Sequence, residues 1–101
     1  EQFSGPSHQV TYQMYQSGMS LTTIAKNRDM NINTIQNHLL KCSDEGFEVP
    51  WEDFIPSDLE PLILKTITEI GTERLKPIKD ALPKEVDYMA IKAVIAKNKH
   101  L

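Results

Sequence analysis

Three amide side chains lie close together in the first half of the sequence, at Asn33, Gln36 and Asn37. An Asn or Gln side chain offers a hydrogen-bond donor and an acceptor side by side, the pattern that adenine presents in the major groove of DNA. These three residues are therefore candidate readers of bases. Residues that can contact the phosphate backbone lie around them, namely Lys26, Arg28, Thr34 and Lys41.

The spacing of apolar residues predicts the helix that would carry these amides. Four of them recur at helical intervals and should face inward: Ile32, Ile35, Leu39 and Cys42. Asn31 can cap this helix, which we expect to end near Ser43. At about 100° per residue, the opposite face is polar and holds Asn33, Thr34, Asn37 and Lys41, with Gln36 and His38 on its flanks.

Another capped helix comes just before it. Ser20 caps a helix that ends near Arg28, and the narrow apolar face of this helix suits close packing. The order of helix, tight turn and helix over residues 20–39 predicts a helix-turn-helix. A further helix over 7–17 precedes it and ends at Gly18. The inward residues of that first helix should be Val10, Met14 and Tyr15.

The second half of the chain repeats this order approximately. Ser57 and Glu60 have the spacing of a capping box, and Gly71 should end the helix that they open. A short helix over about 72–82 follows. Asp87 then caps a last helix, whose inward stripe should be Tyr88, Ile91, Val94 and Ile95.

These elements predict an all-α fold of about six helices. Two tandem three-helix units of helix-turn-helix type and one six-helix bundle without internal symmetry both fit the pattern. We expect residues 8–46 to form the first unit and residues 57–101 a second unit packed on it. Residues 47–56 would be an aromatic and acidic connector, irregular or partly strand-like, and residues 1–7 a disordered or cut N-terminal edge.

The charge distribution bears on the choice of partner. The chain of 101 residues has a formal net charge of −3, whereas a dedicated DNA-binding domain usually has a basic surface. The charge is uneven, at +1 over residues 1–43, −8 over 44–73 and +4 over 74–101. The mildly basic ends permit a weakly basic face. The acidic middle, with exposed aromatic rings possible at Trp51 and Phe54, favours the alternative of a protein-docking module.

Other classes of protein lack support in the sequence. No apolar run approaches the roughly 20 residues of a membrane-spanning helix. The single Cys42 excludes an intrachain disulfide, fits the reducing cytoplasm, and is best placed in a core. The histidines are too scattered for a helical metal site, and no nucleophile elbow or P-loop is present. We therefore expect no catalysis, cofactor, metal or small-molecule substrate.

The candidate residues also fit structural roles. Helix-turn-helix geometry is a common way to pack three helices, so the outward amides could face solvent or another protein. Asn31 fits a simple cap, and His38 fits a half-buried structural histidine. The aromatic residues of the connector could stack on single-stranded bases or lock the connector onto the core. Cations in the second half could track a nucleic-acid backbone or line solvated faces, namely Arg74, Lys76, Lys79, Lys84, Lys92, Lys97 and Lys99.

Two segments resemble the helix-turn-helix domain found at the C-terminus of some RecQ-type DNA helicases and in YpbB-type helicase-associated bacterial proteins. They are YQMYQSGMSLTTIAKNRDMNINTIQNHLL and GTERLKPIKDALPKEVDYMAIKAVIAKNK, and the likeness spans about residues 10–99. The IA-x-x-R run from Ile24 and the TI-x-x-HL run from Thr34 indicate the general motif. The runs LKPIKDALP and DYMAIKAVIA point to this particular family.

The resemblance implies a non-catalytic accessory domain of a helicase that acts in DNA repair or recombination. Such a domain would engage DNA through the helix around 32–43, or would mediate contacts within the helicase assembly. Its partners would be DNA and the remainder of the parent helicase, or a helicase partner. One departure lies in the turn, where a position that is often Gly is Asp29. Asp tolerates left-handed geometry less well than Gly.

Overall fold

The computed structural model describes residues 3–99 of the chain. This range contains six α-helices, one 3-10 helix (Trp51–Phe54) and no β-strand, so the predicted all-α fold is confirmed. None of these helices has both the length and the apolar character that crossing a membrane requires. The α-helices are α1 (Ser7–Gln16), α2 (Leu21–Asn27), α3 (Ile32–Asp44), α4 (Glu60–Ile70), α5 (Leu75–Asp80) and α6 (Tyr88–Lys97).

The chain divides into two compact units. Unit 1 ends at Val49 and unit 2 begins at Pro50. In unit 1, α1, α2 and α3 pack against one another, and α1 and α3 form the largest contact. In unit 2, α6 packs against α4, α5 and the 3-10 helix. Each unit is thus built from three α-helices, and unit 2 adds the 3-10 helix.

The core of unit 1 follows the apolar spacing of α2 and α3. Ile35, Leu39 and Cys42 of α3 are fully buried, as is Ile24 of α2. Ile32 was expected in the same stripe, but 41% of it is exposed. A helical side chain points back over the preceding turn, and Ile32 is the first residue of α3. Its side chain therefore projects beyond the end of the helix rather than into the core.

The buried face of α1 differs from the predicted one. Val10 and Tyr15 are only half-buried. The buried face is instead made of His8, Thr11, Tyr12 and Met14. Its three polar members each hydrogen-bond to another part of unit 1. Polar groups can be buried when they are paired in this way, and a hydropathy pattern does not reveal such pairs.

The capping box predicted at Ser57 and Glu60 is wrong. Glu60 is the first residue of α4, and Leu59 precedes it without a side-chain cap. A cap at Ser57 would place Pro61 four residues into the helix. There its missing N–H could not bond to the carbonyl of Ser57, and its ring would clash with that carbonyl. The structure instead has Pro61 in the first turn, where no such bond is needed.

The last helix, α6, is buried on more sides than the predicted stripe. Its cap is as predicted, because Asp87 Oδ1 accepts a hydrogen bond of 2.8 Å from the amide of Ala90. Of the residues predicted to face inward, Tyr88 is 40% exposed and Ile95 is half-buried. Small residues on the other side of α6 allow its neighbours to approach closely. The buried residues of α6 are Met89, Ala90, Ile91, Ala93 and Val94.

The connector contains a short helix and no strand. The 3-10 helix packs on α6, and its Trp51 is only 6% exposed. Lys97 of α6 ties this helix to α4, since its Nζ lies 3.6 Å from Glu52 Oε2 and 3.1 Å from Glu60 Oε1. The bond to Glu60 raises the pKa of Lys97. Of the two roles considered for the aromatic residues of the connector, Trp51 has the structural one, because its indole is part of the core of unit 2.

Candidate nucleic-acid interface

The turn between α2 and α3 ends α2 with two backbone hydrogen bonds. The amide of Met30 donates to the carbonyl of Ala25 at 2.9 Å, and the amide of Asp29 donates to that of Lys26 at 3.3 Å. This pair of bonds is a Schellman motif, which requires a left-handed residue, and Asp29 has φ +54°. The same pair of bonds ends α1, where the left-handed residue is Gly18. Asp29 therefore occupies the left-handed position at the end of α2 that Gly18 occupies at the end of α1.

Substitutions of Asp29 should reveal the strain of the turn. Asp29→Val is expected to lower the free energy of unfolding by about 1–2 kcal/mol, because a β-branched side chain is poorly accommodated at positive φ. Asp29→Gly is expected to leave it unchanged or raise it by up to about 1 kcal/mol. Urea unfolding of both variants measures the difference. Equal stability of the Val and Gly variants would contradict the left-handed turn.

The turn sets α3 so that its polar face points to solvent. Asn33, Thr34, Asn37 and Lys41 are all exposed, and Gln36 is half-buried at the edge of this face. Asn31 Oδ1 accepts a hydrogen bond of 2.7 Å from the amide of Asn33, so Asn31 is the cap of the helix, as predicted. The structure thus brings the three candidate base readers, Asn33, Gln36 and Asn37, onto one helix. Lys26 of α2 is also exposed.

Arg28 does not join this face. Its Nη1 donates to the carbonyl oxygen of Ser7 at 2.9 Å and to Thr11 Oγ1 at 2.6 Å, and its Nη2 donates to Ser7 Oγ at 3.0 Å. The guanidinium therefore binds the first turns of α1 rather than standing on the α3 face. These bonds give Arg28 a structural role in unit 1, and its predicted phosphate contact stays a prediction.

Thr11 links Arg28 to His38. Thr11 is fully buried, and its Oγ1 lies 2.7 Å from His38 Nδ1. Because this oxygen already accepts a bond from Arg28, its own proton is available for Nδ1. That arrangement leaves the proton of a neutral His38 on Nε2. Burial lowers the pKa of His38, and the nearby charges of Arg28, His8 and Lys41 lower it further. His38 thus joins α3 to α1 as a neutral, half-buried histidine.

Acid should destabilise unit 1 through this histidine. The folded pKa of His38 lies below its ordinary value of 6.5, so the unfolded chain binds more protons than the folded chain. The stabilisation is complete above pH 6.5 and is lost as the pH falls toward the folded pKa, by at most about 1.4 kcal/mol per pH unit. Urea unfolding between about pH 7.5 and 5 should show a smaller loss for His38→Gln than for the wild type. The same loss in both proteins would contradict this assignment.

A second set of contacts joins α1 to the end of α3 and to the segment that follows it. His8 Nε2 lies 2.8 Å from Glu45 Oε1, and this hydrogen bond lowers the pKa of Glu45. The thiol of Cys42 donates to the carbonyl oxygen of His8 at 3.3 Å, and burial raises its pKa to about 11. The ring of Tyr12 meets Phe47 edge to face, with centroids 5.1 Å apart. Cys42 is therefore a core thiol. Together these contacts join α3, which carries the polar face, to α1.

The cations that remain on the interface are few. With Arg28 bound to α1, the predicted phosphate contacts that face solvent are Lys26, Lys41 and the neutral Thr34. Sequence reasoning missed Ser7 and Thr11 as the partners of Arg28. They lie 21 and 17 residues away from it in the chain, and no local pattern indicates a contact over that distance.

The sequence of the chain matches known proteins over most of its length. The sequence model of a family described as a helix-turn-helix domain matches residues 7–95. Protein YpbB of Bacillus subtilis (strain 168) is 24% identical over 87 residues, which are 86% of this chain and 25% of that protein. The chain thus spans about a quarter of the length of this relative. No solved structure matches the chain. With its α2–turn–α3 geometry and a family match over most of its length, the chain belongs to the helix-turn-helix domain family.

Proposed function

We propose that this chain is a non-catalytic DNA-binding accessory domain that engages duplex DNA through α3. The observation that carries the proposal is the exposed polar face of α3, on which Asn33 and Asn37 lie one helical turn apart. A recognition helix reads the edges of bases with side chains of this kind near its N-terminus. The turn at Asp29 sets the direction of α3, and the bonds from Arg28 join the end of α2 to α1.

In this proposal the outward residues divide into two groups. Asn33, Gln36 and Asn37 contact base edges, whereas Lys26, Thr34 and Lys41 contact phosphates. Two cationic contacts give a shallow salt dependence, with a slope of log K against log salt of about −1.8. Affinity should then fall about tenfold between about 50 and 200 mM salt, far less than for a domain with 6–10 phosphate contacts.

Fluorescence anisotropy of the chain with a labelled short duplex tests the proposal. Binding at about 50 mM salt that weakens about tenfold at about 200 mM supports it. Absence of binding at the lower salt concentration rejects it. Steep salt dependence would show that cations outside α2 and α3 dominate the contact.

Two substitutions on α3 should have separable effects on DNA binding. Lys41→Ala is expected to weaken binding to all duplex sequences alike and to make the salt slope shallower by about 0.9. Asn37→Ala is expected to change the ranking among sequences by about 1–3 kcal/mol at the affected base pair and to leave the slope unchanged. Anisotropy with a panel of duplexes measures both effects. Unchanged binding in both variants would remove α3 from the interface.

We further infer that the parent is a RecQ-type DNA helicase or a bacterial helicase-associated protein of the cytoplasm that acts in DNA repair or recombination. The support is the resemblance of the LKPIKDALP and DYMAIKAVIA runs to that family, together with the 24% identity to YpbB. In a parent helicase, deletion of this domain should weaken binding to DNA while leaving ATP hydrolysis at saturating DNA intact. Loss of ATP hydrolysis under those conditions would contradict an accessory role.

The alternative function, protein docking through the connector, has lost its main support. That alternative rested on exposed aromatic rings at Trp51 and Phe54 beside acidic side chains, but Trp51 is buried in unit 2 and Phe54 is half-buried. Glu52 and Asp53 remain exposed, but acidic residues alone do not define a partner. Apolar docking changes little with salt, so the salt series above also separates the two functions.

A further inference from the structure

In unit 2, α6 holds the place that α3 holds in unit 1. Each is the last helix of its unit, and each begins after a residue whose side chain caps it. The first residue of each is exposed, with Ile32 at 41% and Tyr88 at 40%. The fourth residue of each, Ile35 or Ile91, is fully buried. The two helices therefore start in the same way.

Their outward faces differ. The positions taken by the exposed Asn33 and Asn37 in α3 are taken in α6 by Met89 and Ala93, which are buried. α6 packs against the 3-10 helix as well as against α4 and α5. It therefore lacks an exposed amide face like that of α3, and the side chains that it exposes form a stripe on another side of the helix.

That stripe combines an aromatic ring, two lysines and an aliphatic side chain. At about 100° and 1.5 Å per residue, its three members on α6 lie within roughly 60° of one another and extend over about 10 Å of the helix, and Lys99 follows two residues after the end of α6. An open groove of about 500 Å³ lies between α4 and α6, next to Ile95 and Lys99. The stripe consists of Tyr88, Lys92, Ile95 and Lys99.

The groove is apolar and has a cation at its edge. Leu64 and Ile67 of α4 face Val94 and Ile95 of α6, and Lys99 completes the lining with Thr68, Thr72 and Asn98. No acidic side chain is among these lining residues. Such a surface accepts a flat, apolar group that is linked to a negative charge, and a nucleobase linked to its phosphate has this chemistry.

We propose that the stripe of unit 2, from Tyr88 to Lys99, binds single-stranded nucleic acid. Tyr88 stacks on one base, the groove beside Ile95 receives another, and Lys92 and Lys99 contact the phosphates between them. The proposal extends the proposed function, because it adds a single-stranded contact to a domain whose α3 binds duplex.

The environment of Lys92 fits this role. The side chain is partly buried, and this burial lowers its pKa. An ammonium group that has lost part of its hydration gains more from a phosphate than a fully hydrated one does. Two lysines also predict a modest salt dependence for a single strand, with a slope of about −1.4.

Anisotropy with a labelled oligothymidine of about 12 nucleotides tests this assignment at about 50 mM salt. Tyr88→Ala is expected to weaken binding about 5- to 150-fold, which is the effect of losing one base–aromatic stack. Tyr88→Phe keeps the ring and should stay within about twofold of the wild type. Leu62→Ala removes an equally exposed apolar side chain from α4 and should have no effect. Lys92→Gln should weaken binding, whereas Lys76→Gln should not, since Lys76 is an exposed lysine of α5 and lies outside the stripe.

Crosslinking provides a readout that does not depend on the folding of a variant. Ultraviolet irradiation of the wild-type chain with a bromodeoxyuridine oligonucleotide should attach it to the peptide that contains Tyr88. Failure of the wild type to bind oligothymidine, equal binding by Tyr88→Ala, or a crosslink that maps only to unit 1 would each overturn the proposal. The duplex assays with Lys41→Ala and Asn37→Ala report on α3 alone, so the two proposals can fail separately.

Discussion

Trp51→Ala is expected to lower the free energy of unfolding of unit 2 by about 3–5 kcal/mol, the usual cost of truncating a buried Trp. The indole is 6% exposed and anchors the 3-10 helix to α6. Truncation would leave a cavity between these two elements, and rearrangement of the 3-10 helix is restrained by the ion pair between Glu52 and Lys97. The connector is thus expected to be structural rather than a detachable surface segment.

Urea unfolding followed by far-ultraviolet circular dichroism measures this loss, because that signal does not depend on the indole. Leu62→Ala is the matched control, since Leu62 is 40% exposed on α4 and its truncation should change stability by no more than about 0.5 kcal/mol. A loss below about 1 kcal/mol for Trp51→Ala would mean that the indole leaves the core readily. The docking function of the connector would then deserve a new test.

Arg28→Ala is expected to lower the free energy of unfolding of unit 1 by about 2–3 kcal/mol. The guanidinium makes three hydrogen bonds to Ser7 and Thr11, and charged hydrogen bonds contribute about 1.5–3 kcal/mol each when they are well buried. Arg28 is half-buried, so the three together should contribute less than their sum. Thr11 is fully buried and would lose one of its two partners.

The same variant decides between a structural and a DNA-contacting Arg28. A structural role predicts lower stability with an unchanged salt slope for duplex binding by the folded protein. A phosphate contact predicts unchanged stability and a slope shallower by about 0.9. Lys26→Ala serves as the control, because Lys26 is an exposed cation of α2 and should change the slope alone.

The parts of the fold that could be predicted are those that local chemistry determines. Ser20, Asn31 and Asp87 cap their helices as expected, because a cap needs only a side-chain acceptor and the amides that follow it. Gly18 and Gly71 end their helices as expected, because each has a positive φ that glycine adopts without strain. The polar face of α3 was also predictable, since three buried residues at helical spacing determine which side is left outside.

The features that were missed depend on contacts between distant residues or on the ends of helices. The side chain of Arg28 is directed by Ser7 and Thr11 of another helix, so its own position in the motif did not indicate its role. Ile32 satisfies the apolar period, but it is the first residue of α3, so no turn of helix precedes it. The burial of Trp51 depends on α6, a partner that follows it by nearly 40 residues. Sequence periodicity describes one helix at a time and does not contain these relations.

The chain has a single Cys and a single Trp, and each is buried in a different unit. Cys42 in unit 1 is a fully buried thiol with a pKa of about 11, so a thiol reagent can modify it only when unit 1 opens. Trp51 reports on unit 2 through the emission of its indole. The native protein therefore carries two intrinsic reporters, one for each half. Rates of thiol labelling and shifts in emission, measured in the same denaturant series, would tell whether the two halves unfold as one cooperative block or as independent foldons.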